Sequence, residues 1–154
     1  MSSVEDKLCK VGYTLPEPPT PVGVYVTALE VDEMVYTSGA SCFEDGKLKY
    51  QGKVGAELTV EQGYDAARIT MLNLLSVLKQ HLGDLDRIEQ VVKLTGYVAS
   101  APGFGKQPAV MNGASELLGE VLGDRGRHAR SAIGVSELPM NCPVEIEMIV
   151  KVED

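Results

Sequence analysis

Between Val91 and Val135 the hydrophobic period of the chain changes twice, and this double change limits the fold more than any other feature. Val91-Val92-Lys93-Leu94-Thr95-Gly96-Tyr97-Val98 is rich in β-branched residues and reads as a strand. Pro102-Gly103 closes it, and Pro108 suits a first helical turn. Val110, Ala114, Leu117, Leu118 and Val121 then fall three and four apart, with Gly123 past the end, before Ile133 and Val135 return to alternation. A strand, a helix and a strand in that order predict two parallel strands joined by a right-handed crossover.

The flanking segments extend this core. Val60, Tyr64, Ala67, Met71, Leu74, Leu75, Leu78 and Leu82 mark a second amphipathic helix, opened by a Thr59/Gln62 capping box and closed at Gly83. Ahead of it, Val22, Val24 and Val26 alternate with Gly23, Tyr25 and Thr27, and Met34-Val35-Tyr36-Thr37 follows, predicting two strands and a turn. Residues 41–57 read as a loop with a short additional strand. Residues 1–21, ending in Pro16-Glu17-Pro18-Pro19-Thr20-Pro21, read as an extended lead-in to a single domain over 22–154. After a turn over Leu138 to Pro143, Val144, Ile146, Met148 and Val150 alternate with Glu145, Glu147 and Lys151 in a last strand. The expected class is α/β (α+β): a mixed sheet with both helices on one face. Its other face carries charged groups and is left uncovered, which a closed ring of copies would remedy.

With 154 residues, 44% of them apolar, the chain suffices for one core. Its 22 acidic against 14 basic residues disfavour a nucleic-acid partner while leaving room for a small anion at a local cation. No apolar run approaches the roughly 18 residues of a membrane span. The amino terminus has neither the basic start nor the apolar stretch of a secretory signal, so a cytoplasmic location and no membrane partner are expected. Cys9, Cys42 and Cys142 are widely spaced, and His81 and His128 are isolated, so neither a disulfide framework nor a metal site is expected.

The segment Arg130-Ser131-Ala132-Ile133-Gly134-Val135-Ser136-Glu137-Leu138-Pro139, with Val144-Glu145-Ile146-Glu147 after it, resembles the carboxy-terminal signature of the Rid family. These are the reactive-intermediate deaminases, also called YjgF-like or L-PSP proteins. Gly23-Val24-Tyr25, Val35-Tyr36-Thr37-Ser38-Gly39, Asn73-Leu74, Val92-Lys93, Phe104 and Val110-Met111-Asn112 match in the same order, so the resemblance spans about residues 15–152. It implies a chorismate-mutase-like fold, a homotrimer and ligand sites between subunits. It also implies hydrolysis of 2-imino acids to 2-oxo acids and ammonia without metal or organic cofactor, although some relatives are called ribonucleases or translation inhibitors.

Residue by residue, the resemblance makes Arg130 the anchor for a small carboxylate metabolite, a role that suits a planar guanidinium able to form two parallel hydrogen bonds. Glu145 matches the carboxylate that holds the attacking water, and Tyr25 a tyrosine lining the pocket. Ser38, Gly39 and Asn112 match residues that shape the site, and Ala132 matches a position whose backbone amide can orient the imine. Glu147 reads as a salt-bridge partner, and Arg125 and Arg127 as solvated; Cys142 is open between a reactive and a buried thiol. Gly23-Val24-Tyr25-Val26 stands where relatives read Gly-Pro-Tyr-Ser, and Ser38-Gly39-Ala40 where they read Ser-Gly-Gln. These departures make a non-catalytic metabolite-binding or chaperone-like trimer the alternative, while the acidic balance opposes a ribonuclease. Arg130 and Glu145 each begin a strand, and the strands are antiparallel, so they are expected at opposite ends of the sheet, about 20 Å apart. A ligand touching both would have to sit between subunits.

Overall fold

In the computed structural model, which describes residues 2–154, ten elements follow in the order α1 (Ser3–Lys10), β1 (Ala28–Val31), β2 (Met34–Thr37), β3 (Phe43–Glu44), β4 (Lys47–Leu48), α2 (Val60–Leu82), β5 (Ile88–Ala99), α3 (Gln107–Leu122), β6 (Ala129–Val135) and β7 (Val144–Val152). The main sheet has the order β1-β2-β7-β5-β6. As the crossover argument requires, β5 and β6 are parallel, and β7 lies antiparallel to β5 and to β2.

The capping box forms as the sequence dictates: Gln62 N–H donates to Thr59 Oγ1 at 3.1 Å, and Thr59 N–H to the Gln62 side chain at 2.9 Å. Gly83, at φ 80°, ends α2. Both long helices lie on one face, where Leu94, Ile146, Met148 and Val150 are buried beneath Leu75, Leu78, Met111 and Leu118. They pack closely because a Cβ at Gly113 would overlap the Tyr64 carbonyl. Burial alternates strictly along β7, so Glu145, Glu147, Ile149 and Lys151 line the opposite, open face.

Two expectations about the amino-terminal part need correction. The lead-in is not extended throughout, since Ser3–Lys10 is a helix, capped by Ser2 and held at its start by Asp86, which accepts from Ser3 N–H at 2.9 Å and Val4 N–H at 3.2 Å. Val4 and Leu8 bury its inner side. The alternating Val22–Val26 segment is not a strand: it bends across the surface with Val24 fully exposed, and the first strand begins only at Ala28. Alternation there has no neighbouring strand to pair with inside one chain.

The 41–57 region forms the short β3–β4 hairpin, tied to α2 by side chains. Asn73 donates to the carbonyls of Ser41 and Phe43, both at 2.9 Å. Asp65 accepts from the Tyr50 hydroxyl at 2.7 Å, Lys49 at 3.1 Å and Arg68.

Candidate functional site

The expected site residues fall into two groups on one chain. Tyr25, Ser38, Gly39 and Glu145 line one cavity of about 200 Å³. Arg130, Asn112 and Ala132 lie elsewhere, along the edge where α3 covers β6.

The first group is built by the chain as it leaves β2. Ser38 donates its backbone N–H to Thr27 at 2.9 Å and its hydroxyl to the Val26 carbonyl at 2.6 Å, which fixes the bent segment carrying Tyr25. Ala40 then pairs with Ile146 through bonds of 2.9 and 3.0 Å. Gly39 is therefore laid against β7, where a Cβ would come 2.7 Å from Glu145 Oε2; only glycine leaves room for that carboxylate. Burial pushes the Glu145 carboxyl above its usual range, and the neighbouring Glu147 charge adds to the effect. The Tyr25 phenol oxygen accepts from Val22 N–H at 3.2 Å, so its own hydrogen is left to donate elsewhere. The other walls are mostly apolar: Leu74 and Val77 of α2, Phe43, Met140 and the Pro19 end of the lead-in. Cys142 also lines this cavity; it is 1% exposed, and burial pushes its thiol up.

The second group rests on one face of α3, where Pro108, Asn112 and Ser115 stand a turn apart. Arg130 Nη1 donates to Asn112 Oδ1 at 2.9 Å and Ser115 Oγ at 3.0 Å, and Nη2 reaches the Pro108 carbonyl at 3.4 Å. A guanidinium has five N–H donors. Nε–H and one Nη2–H therefore stay without a partner among the described residues, and this pair can grip a carboxylate side-on. Ala132 is two residues along β6, on the same face. Behind Ser115 lies His128, whose Nε2 is 2.9 Å from Ser115 Oγ and whose Nδ1 is 2.7 Å from the Gly126 carbonyl. From sequence, Ser115 has no assigned role and His128 stands only as an isolated histidine; the row at 108, 112 and 115 opposite Arg130 is the signal that points to the serine.

The separation of Arg130 and Glu145 differs from expectation in size and in cause. Arg130 stands opposite Leu94 and Glu145 opposite Tyr97, because β6 starts midway along β5. That is three residues along and two strands across, about 14 Å rather than about 20 Å. The residues are divided by face instead. Arg130 shares the helix face with Leu94, whereas Glu145 shares the open face with Tyr97 and Glu147. Glu147 accepts from the Tyr97 hydroxyl at 2.7 Å and forms no salt bridge among the described residues. Arg125 is not simply solvated, since it donates to the Ile88 carbonyl at 2.8 Å.

Residues 5–151 match the family described as "YjgF/chorismate mutase-like, putative endoribonuclease". Protein TCP17 of Trypanosoma cruzi is 39% identical over 152 residues, 98% of this chain and 95% of that one. A crystal structure of a protein of unknown function from Agrobacterium tumefaciens superposes with a TM-score of 0.93 at 41% identity, covering 98% of this chain and 93% of the other. A 2-iminobutanoate/2-iminopropanoate deaminase of Dermatophagoides farinae is 28% identical over 138 residues, 90% of this chain and 93% of its own length.

Proposed function

This chain belongs to the YjgF/chorismate mutase-like, or Rid, family, and on that premise we propose that it hydrolyses small 2-imino acids to 2-oxo acids and ammonia at a site shared between two copies of the chain. The observation that carries the proposal is the division of polar groups between two faces. A carboxylate-gripping arginine with two free donors lies on one face, and a half-buried carboxylate beside an apolar cavity lies on the other. One copy supplies Arg130, Asn112 and Ala132 to a cleft, and the next supplies Tyr25, Ser38, Gly39 and Glu145.

In this reading Arg130 takes the substrate carboxylate through Nε–H and Nη2–H, which fixes C2 and its nitrogen. A backbone amide near Ala132 and the Tyr25 hydroxyl orient the reacting atoms. Glu145 accepts a proton from water as the water oxygen bonds to C2 of the protonated imine, giving a carbinolamine. It returns that proton to the nitrogen and takes the hydroxyl proton, which passes on to solvent, as the C=O bond forms, the C–N bond breaks and ammonia leaves. A carboxyl raised by burial suits both halves of that exchange, because it gives and takes a proton more evenly near neutrality. The apolar walls formed by Leu74, Val77 and Phe43 favour an uncharged substrate side chain.

The test is consumption of 2-iminopropanoate and 2-iminobutanoate generated in the assay, by the wild type and by Arg130→Ala of matching circular dichroism. Acceleration lost in the variant is the expected result. Binding of 2-oxo acids without turnover would replace the reading with a metabolite-binding protein, with Val24, Val26 and Ala40 as the first residues to revert.

A further inference from the structure

We propose that His128 is a positioning residue for Arg130, acting through the Ser115 hydroxyl; this rests on Arg130 being the carboxylate anchor. The Gly126 carbonyl can only accept, so the 2.7 Å contact requires a proton on His128 Nδ1. In the neutral Nδ1–H tautomer that this relay takes, Nε2 is an acceptor, and the Ser115 hydroxyl donates to it across 2.9 Å. With its hydrogen committed to His128, Ser115 Oγ turns lone pairs toward Arg130 Nη1, 3.0 Å away. In that tautomer every bond in the row from Gly126 to Arg130 points the same way along it.

That carbonyl is itself fixed by packing. A Cβ at Gly126 would overlap the Leu118 carbonyl, so the turn after α3 closes this tightly only with glycine. Ser115 and Asn112 together occupy both Nη1 hydrogens, which turns the Nε–H and Nη2–H edge outward. Without His128, the Ser115 hydroxyl loses the acceptor that fixes its rotation, so its lone pairs are no longer held toward Nη1. The row also involves residues that carry no chemistry of their own, so its contribution is to the aim of the arginine.

The contact with a carboxylate exists in both substrate and transition state, so loss of aim raises KM and leaves kcat nearly unchanged. We expect His128→Ala and Ser115→Ala each to raise KM for 2-iminobutanoate about tenfold, with kcat within about twofold. The double variant is expected to be no worse than Ser115→Ala, because His128 acts only through the serine. His128→Gln, whose amide oxygen can accept from Ser115, is expected to recover most of the loss. In ligand-free protein, nitrogen NMR of His128 should show the Nδ1–H tautomer, a readout independent of turnover. An Nε2–H tautomer, additive effects in the double variant, or a fall in kcat alone would overturn the relay. A wild type that neither turns over imines nor binds 2-oxobutanoate overturns the functional reading beneath it. Turnover lost in Arg130→Ala but intact in His128→Ala overturns the relay alone.

Discussion

Glu145 meets two opposed demands. Burial first, and the Glu147 charge second, hold its carboxyl above the usual range, so ionisation is harder in the folded chain than in the unfolded one. Such a group contributes stability below its unfolded pKa that is lost as pH rises through its folded pKa. Glu145→Gln is therefore expected to raise the melting temperature at neutral pH while abolishing imine hydrolysis, which calorimetry and the ammonia assay can check together. In the wild type, kcat/KM should fall with acid through a midpoint above that of an ordinary glutamate, because the water-holding form is the ionised one. Gly39→Ala is expected to lower kcat at least tenfold with little change in fold, since its methyl would occupy the space 2.7 Å from Glu145 Oε2.

The elements of the second half of the chain could be read from their periods because each is stabilised by what lies in its own sequence. Thr59, Gln62 and Gly83 bound α2 by local hydrogen bonds, and Pro108 and Gly123 bracket α3. The amino-terminal elements could not be read in this way. The eight residues of α1 are too few to be stable alone, and Asp86 and Lys79, more than seventy residues away, hold its first turn. Leu8→Ala should cost about 2–5 kcal/mol in denaturant unfolding, since Leu8 is 1% exposed and bridges α1 to the core. The β3–β4 region depends likewise on Asp65. Burial alone would raise this carboxyl, but hydrogen bonds from Tyr50, Arg68 and Lys49 bring it down to about 2. Its contribution is present above the ordinary value of 3.8 and lost as acid carries the pH toward about 2. Asp65→Asn should melt earlier than the wild type at pH 7, with the gap closing over that acid range.

Across the whole molecule, the open sheet face and the bent segment before it expose Val22, Val24, Val26, Leu29, Val31, Tyr36 and Ile133. Apolar surface of this extent on one side is what a ring of copies would bury. Sedimentation is expected to give three times the mass of one chain. Ile133→Glu should dissociate the assembly and abolish turnover while leaving the circular dichroism unchanged. The Rid signature points to both groups of candidate residues in the sequence, but not to their leaving opposite faces of the sheet. That depends on where β6 begins against β5, a register that alternation within either strand does not encode. The division of polar groups has a genetic consequence. If the cleft draws Arg130 from one copy and Glu145 from its neighbour, two inactive alleles can rescue each other. Subunits carrying Arg130→Ala, refolded in equal amounts with subunits carrying Glu145→Gln, would recover about a quarter of the wild-type clefts, each whole although no chain in the mixture is.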